Sequence, residues 1–293
     1  MNKYIFDTNG KIKKDTTISL FSDFHVSKDS NEKKLTKVID FLEKTDPNYI
    51  FLLGDITQDT NMPYNLMTKL YKYLSTMGEI APIYMIYGNH DLQKRKQGKW
   101  VKYENEDYYS MLNDVDNLTV LDNETITLDE NIAITGINLP YKYYNVAYED
   151  NKLYLELLNE YIKRNLLGKL NNETYNIFLQ HTPNNIIDKE TYLEILKNIK
   201  EKLNRDINFD LIISGHLHNG LVPSYIDRIV PGSRGIIGLT GSKIVPFKNN
   251  CRGSKEITDT TTSIILPAVS TLEEHKFLNK FYPPTNKTLV LKK

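Results

Sequence analysis

Tyr49-Ile50-Phe51-Leu52-Leu53-Gly54-Asp55 is an apolar run of strand length that stops at a glycine and a carboxylate. The pattern recurs along the chain. Thr17-Ile18-Ser19-Leu20-Phe21-Ser22 runs into Asp23-Phe24-His25, and Ile83-Tyr84-Met85-Ile86-Tyr87 into Gly88-Asn89-His90-Asp91. Asn176-Ile177-Phe178-Leu179 leads to Gln180-His181-Thr182, and Leu211-Ile212-Ile213-Ser214 to Gly215-His216-Leu217-His218. Short, continuous apolar runs bounded by turn residues are the mark of strands buried on both faces. Between the first two, residues 33–44 show helical spacing through Leu35, Val38, Ile39 and Leu42, closed by Asp46-Pro47, and a second helix is expected near 64–77. Strand and helix in alternation predict an α/β layer fold.

Further out the pattern changes. Residues 118–139 carry short strand signals, Leu118 to Leu121 and Ile132 to Ile137, with little helix between them, so a more antiparallel region is expected there. Helical spacing returns at 150–167 and 189–203. The stretch 223–261 is rich in Gly, Ser, Thr and Pro and reads as long loops and edge hairpins, with closing strands at Ser263 to Leu266 and Thr288 to Leu291. No internal repeat or linker divides the chain. The expectation is one domain over 1–293, with the core motifs at 17–218 and a loop-rich part at 219–293.

With 293 residues and 40% hydrophobic content, the chain can bury a full core. Lys+Arg and Asp+Glu are both 37, so no net charge draws it toward nucleic acid, and a nucleic-acid partner is not expected. No apolar stretch of signal-peptide length follows Met1 and no run has the length of a membrane span, which predicts a cytoplasmic protein; peripheral membrane contact stays open. Cys251 is the single cysteine and cannot form an internal disulfide.

Five of the six histidines fall in the motifs that follow the apolar runs; only His275 does not. Imidazole, carboxylate and amide oxygen together suit a divalent transition metal, whereas a thiolate site needs cysteines. In α/β sheets, ligands bind outside the carboxyl ends of the strands, so five loops can converge on one site. Asp23 and His25 are two residues apart, as are His216 and His218, and in extended backbone that spacing puts both side chains on one face.

Asp-x-His, Gly-Asp, Gly-Asn-His-Asp, an isolated His and Gly-His-x-His, in this order over about residues 17–218, resemble the calcineurin-like metallophosphoesterases. The segment 215–220 is also similar to that of bacterial phosphodiesterases of the YkuE and YaeI groups. The resemblance implies a central β-sandwich flanked by helices, in αββα layers, with a two-metal site at strand ends. It assigns Asp23, His25, Asp55 and His218 to one metal and Asp55, Asn89, His181 and His216 to the other, with Asp55 bridging. It implies two divalent ions (Mn, Fe or Zn) and a metal-bridging hydroxide that hydrolyses a small phosphoester, a phosphodiester above a monoester. His90 would stand by the leaving group, and Asp91 would orient His90 and hold it protonated.

Taken singly, several of these residues have plainer readings. A lone His181 at a strand end is more often structural than ligating, and only its company reverses that. Asp59 reads as a turn residue, and Arg228, Arg234 and Arg252 read as surface cations. The run Tyr141-Lys142-Tyr143-Tyr144 suits either a substrate rim or compositional bias toward tyrosine. A protein phosphatase, a nuclease and a non-catalytic scaffold remain as alternatives, and the oligomeric state is open.

Overall fold

In the computed structural model, the described residues are 3–28, 30, 32–97, 99–141, 144, 156, 160, 170–183, 189–204, 206–218, 236–238, 244–246, 253–270 and 286–293. Most of the expected helix at 150–167 lies outside them, as do Cys251, His275, Arg228, Arg234 and Arg252.

The first part of the chain supplies β1 (Lys3–Asp7), β2 (Thr16–Phe21), α1 (Glu32–Thr45), β3 (Tyr49–Leu53), α2 (Tyr64–Ile80) and β4 (Ile83–Ile86). A short hairpin, β5 (Gln93–Lys96) and β6 (Lys99–Lys102), precedes α3 (Glu106–Asn113), β7 (Leu118–Val120), β8 (Glu124–Leu128) and β9 (Ile132–Ile137). Then come β10 (Tyr175–Gln180), α4 (Lys189–Leu203), β11 (Leu211–Ser214), a second small hairpin β12 (Ile236–Gly238) and β13 (Ile244–Pro246), β14 (Gly253–Thr258), β15 (Thr261–Ile265) and β16 (Lys287–Lys292).

Two six-stranded sheets result, in the orders β1-β16-β2-β3-β4-β7 and β14-β15-β11-β10-β9-β8. Side-chain alternation explains why β3 and β10 read as unbroken apolar runs. Tyr49, Phe51 and Leu53 face Tyr175, Ile177 and Leu179 in the core between the sheets. Ile50 and Leu52 point the other way and meet Val38 and Leu42 of α1 and Leu70, Leu74 and Met77 of α2. On the far side, Phe178 and Ile212 pack on Tyr192, Ile195 and Ile199 of α4. The layers are αββα, as the resemblance implies. Complete burial of an Ile, Leu or Phe contributes roughly 1.5–3 kcal/mol, so the two-faced burial of β3 makes it a centre of the fold.

The expected antiparallel region is only partly so. β8 pairs antiparallel with β9, but β7 runs parallel to β4 as the last strand of the first sheet, and β9 runs parallel to β10. The closing strand β16 lies antiparallel to β2 with β1 parallel outside it. Lys3–Asp7 was not expected because an edge strand with alternating exposure lacks a continuous apolar run. The helix expected near 64–77 continues to Ile80, with Met77 and Ile80 in the helix-facing core. Strands β2, β3 and β4 of one sheet and β10 and β11 of the other are the parallel strands that bear the five motifs at their carboxyl ends. Among the described residues, no helix is long and apolar enough to cross a membrane.

Candidate metal centre

Chain geometry at the strand ends is strained and tightly tied. Asp23, His25, Asp55, His216 and His218 all have left-handed φ, from 43° to 69°. For a residue with a Cβ this costs about 1–3 kcal/mol each, and such backbone persists only where its surroundings over-determine it. Here they do. Asp23 N–H donates to the Gly54 carbonyl at 3.0 Å, and His25 N–H to the Asp55 carbonyl at 3.0 Å, which carries the β2–β3 pairing past the strands. Gly54, at φ 83°, must be glycine: a Cβ would come within 2.4 Å of the Gly88 amide nitrogen and 2.8 Å of His181 Nδ1.

Two of the contacts between the sheets orient site residues. His181 Nδ1 lies 2.5 Å from the Leu53 carbonyl, which assigns the proton to Nδ1 and leaves Nε2 with the lone pair. The backbone N–H of His216 donates to Asp23 Oδ2 at 3.0 Å.

Donor atoms then gather in two sets, each drawn together within 4.8 Å: Asp23, His25, Asp55 and His218, and Asp55, His181 and His216. His25 Nε2 is 3.7 Å from Asp55 Oδ2 and 3.2 Å from His218 Nε2, and His218 Nε2 is 3.3 Å from Asp23 Oδ1. His181 Nε2 lies 3.2 Å from Asp55 Oδ2 and 3.2 Å from His216 Nδ1. Asp55 belongs to both sets.

Each carboxylate is half used by the protein. Ser22 Oγ donates to Asp23 Oδ2 at 2.5 Å, and the His90 N–H donates to Asp55 Oδ1 at 2.8 Å. The other oxygens, Asp23 Oδ1 and Asp55 Oδ2, are buried with no hydrogen-bond partner among the described residues, and so is Asn89 Oδ1. Buried anionic oxygens are costly unless paired or coordinating. The two carboxylate oxygens facing imidazoles in this way form a donor set that fits divalent transition metals, and two cations can be accommodated.

The titration of the imidazoles agrees. Burial lowers the pKa of His25, His216 and His218, with neighbouring imidazoles adding to the effect, so they stay neutral as ligating rings must. Burial opposes charge on His181 too, but the Asp55 carboxylate outweighs it and raises that pKa to about 9. In the same pairing, burial works against the Asp55 carboxylate while the His181 charge holds it well below the usual range.

His90 is buried beside the cluster, its ring edge-on to His25 with centroids 4.7 Å apart. Asp91 is not placed as its orienting partner. His90 Nδ1 instead lies 2.8 Å from the Gln58 backbone carbonyl. Both Asp91 oxygens are taken: Oδ2 accepts from the N–H of Asp55 at 2.7 Å and of Gly88 at 2.9 Å, and Oδ1 from the N–H of Ile56 at 3.1 Å and the Tyr108 hydroxyl at 2.9 Å. Burial and the nearby Asp55 charge push the Asp91 pKa up to about 6 in spite of these donors. Asp91 therefore clamps the loop after β3 to the loop after β4.

Sequence reasoning missed the Gln58 and Leu53 carbonyls, which as backbone atoms leave no signal in residue type. Ser22 was missed as well, although a hydroxyl adjacent to Asp23 is a visible cue. Of the tyrosine run, Tyr144 lies with its ring 6.0 Å from that of His181 and 6.1 Å from that of His216. Asp59 is a turn residue, accepting from the N–H of Asn61 and of Arg95.

Comparison with known proteins agrees with this geometry. A family model described as "Calcineurin-like phosphoesterase" matches residues 16–220. The chain is 27% identical over 223 residues to the D component of the nuclease SbcCD of Staphylococcus epidermidis, covering 68% of this chain and 55% of that protein. It is also 27% identical over 221 residues to an uncharacterized metallophosphoesterase of Campylobacter jejuni, covering 72% of this chain and 46% of the other. It thus spans about half the length of the curated relatives it matches. A crystal structure of a dimetal phosphatase from Danio rerio aligns over 95% of this chain and 93% of that one, at 11% identity and a TM-score of 0.49, too loose to bear on function.

Proposed function

This chain belongs to the calcineurin-like phosphoesterase family, and from that membership we propose that it hydrolyses phosphodiesters with two divalent cations. Asp23, His25, Asp55 and His218 would hold one, and Asp55, Asn89, His181 and His216 the other. The observation that carries the reading is the convergence of unpartnered Asp23 Oδ1 and Asp55 Oδ2 on the imidazole nitrogens of four buried or half-buried histidines. Bound there, the cations would supply positive charge to the phosphate and would bring the pKa of a water nucleophile to near 7.

The protein's own groups do the rest. Ser22 and the His216 N–H fix Asp23 so that Oδ1 faces the cluster, and the His90 N–H does the same for Asp55 Oδ2. The Gln58 carbonyl accepts from His90 Nδ1 and so sets the ring, leaving Nε2 to give a proton to the departing oxygen. Diesters are favoured over monoesters because the Staphylococcus epidermidis relative is part of a nuclease, and a nuclease is the second reading.

Chelation followed by addition of Mn, Fe or Zn tests the proposal. Elemental analysis should find two equivalents of metal, and hydrolysis of bis(p-nitrophenyl) phosphate should vanish with chelator and return with metal. Turnover indifferent to chelation would refute it. A faster rate on p-nitrophenyl phosphate would move the assignment to monoesters.

A further inference from the structure

Net charge is zero over the whole chain, yet residues 93–102 carry Lys94, Arg95, Lys96, Lys99 and Lys102 and no acid. This is the hairpin β5–β6, and it begins three residues after His90. Arg95, Lys96, Lys99 and Lys102 are exposed. Lys94 sits over the ring of Tyr103, 3.4 Å from its centroid, and Lys102 pairs with Glu104 at 2.5 Å.

The base of the hairpin is fixed to the loops of the metal cluster. Tyr103 N–H donates to the Leu92 carbonyl at 2.9 Å, the Thr60 hydroxyl and N–H both donate to the Gln93 carbonyl, and Arg95 N–H donates to Asp59 at 2.8 Å. Its direction is therefore set by the same loop that bears Asp55.

At the foot of the hairpin is a cleft of about 800 Å³ between the loop after β3, α2 and α3, lined by Tyr64, Tyr71, Tyr103, Lys72 and Asp107 among others. Tyr64 is 84% exposed and Tyr71 36%, rare exposure for large aromatic rings among the described residues. The α3 wall is tied to the site as well, since Tyr109 donates to the Asp91 carbonyl at 3.1 Å.

We infer that the hairpin and the tyrosine-lined cleft form a binding track for single-stranded nucleic acid beside the metal cluster. This rests on the phosphodiesterase reading and names its substrate class. Proteins that hold single strands combine cations that follow the phosphates with aromatic rings on which bases stack, and both are present here, on a hairpin and a cleft joined to the loops after β3 and β4. A two-stranded ribbon with cations on both strands suits a linear polyanion. An anionic membrane fits less well, because the turn Lys96-Gln97-Gly98-Lys99 carries no apolar residue and Trp100-Val101 is the one apolar pair of the hairpin. The expectation that no nucleic acid binds drew on net charge, which averages this patch away, and on the lack of a recognisable DNA-binding extension.

The test is fluorescence anisotropy of metal-loaded full chain with a labelled, phosphorothioate-linked single-stranded DNA, repeated across salt concentrations. Wild type should bind, with log K falling linearly against log salt. Lys96→Glu with Lys99→Glu should weaken binding tenfold or more and lower the salt slope by about two, one for each phosphate no longer neutralised. Tyr64→Ala with Tyr71→Ala should weaken binding about tenfold with the slope unchanged, because stacking releases no counterions. Neither pair touches the cluster, so hydrolysis of bis(p-nitrophenyl) phosphate should stay at the wild-type rate in both. Absence of binding, variants that bind like wild type, or phosphatidylserine vesicles bound more tightly than DNA with the same dependence on Lys96 and Lys99 would overturn the track. Strand binding with the predicted losses, in a metal-loaded protein that does not cleave the small diester, would support the track and refute the catalytic reading.

Discussion

The first sheet brings to the cluster two aspartates, Asp23 and Asp55, and the imidazoles of His25 and His90, whereas the second brings three imidazoles and no acid. The two ends are also held differently. Loops after β2, β3 and β4 are bonded to one another, Asp23 to Gly54, His25 to Asp55, and Asp91 to Asp55 and Gly88. Among the described residues, the loops after β10 and β11 share one backbone bond, Gly215 N–H to the His181 carbonyl, and take their position from the first sheet through the Leu53 carbonyl and Asp23 Oδ2. Anionic charge that would attract cations is thus placed where backbone is most constrained. The second sheet supplies neutral donors that complete the shell. Loss of Asp55 on the first side should then be felt by both cations, and loss of an imidazole on the second by one.

Asp55→Asn should have the largest effect. Asp55 Oδ2 faces both donor sets, and replacing it removes a charge from each. Turnover should fall by at least a thousandfold, on the order of the loss of a principal electrostatic group. Elemental analysis should show both metals depleted, with the thermal midpoint of the chelated protein close to that of chelated wild type. Full metal content in this variant would break the picture of a shared carboxylate.

His90→Asn and His216→Asn sharpen the contrast. His90 lies beside the cluster with its Nδ1 engaged by Gln58, so its loss should slow turnover by roughly 10²–10⁴ with both metals retained. His216→Asn should lose one equivalent of metal and retain the other. Equal metal content in the two variants would remove the distinction between a proton donor and a ligand.

The strands that reach this cluster were legible because they are buried on both faces. Tyr49–Leu53 and Leu211–Ser214 appear where their apolar runs predict them, as does Ile132–Ile137 farther from the cluster, and the helix at Lys189–Leu203 follows its spacing. The hairpin at 93–102 was not legible, since alternating cations with one apolar pair give no amphipathic period. Glu106–Asn113 is too short for periodicity to declare it, although Asn105 caps it by accepting from Asp107 N–H at 3.1 Å. In the site, residue types and their order pointed to metal-binding motifs at strand ends, and the donor atoms of Asp23, His25, Asp55 and His218, and of Asp55, His181 and His216, lie together there. What they could not reveal was the left-handed backbone of five of these residues and the carbonyls that orient the histidines, because both are properties of the main chain. The position of Asp91 next to His90 in sequence suggested contact, but the 3-10 turn at His90–Leu92 sends the two side chains to different partners.

Asp91→Asn tests that last point. As a clamp, its replacement puts an amide nitrogen against backbone N–H donors, and denaturant unfolding should show a loss of about 3 kcal/mol, the scale of leaving buried donors unsatisfied. The pH profile of kcat for the folded fraction should keep its shape. A shifted profile with unchanged stability would instead restore Asp91 as the partner of His90.

Tyr108→Phe is the mildest probe of the same clamp and the most selective. The Tyr108 ring is fully buried in the core under α3 and its hydroxyl donates to Asp91 Oδ1 at 2.9 Å, so the change removes one donor while the ring can keep its packing. Because three backbone N–H groups and more remain on the Asp91 carboxylate, the loop junction should persist, and stability should fall by about 1–2 kcal/mol, the range for a hydrogen bond to a charged group. Metal content and turnover should match wild type, since the missing bond is on the oxygen that faces α3 and Ile56, whereas Asp55 N–H and Gly88 N–H hold to the other. A fall in turnover without a fall in stability would mean that α3 positions the first-sheet loops for chemistry, and the division between clamp and catalytic group would have to be redrawn at Tyr108.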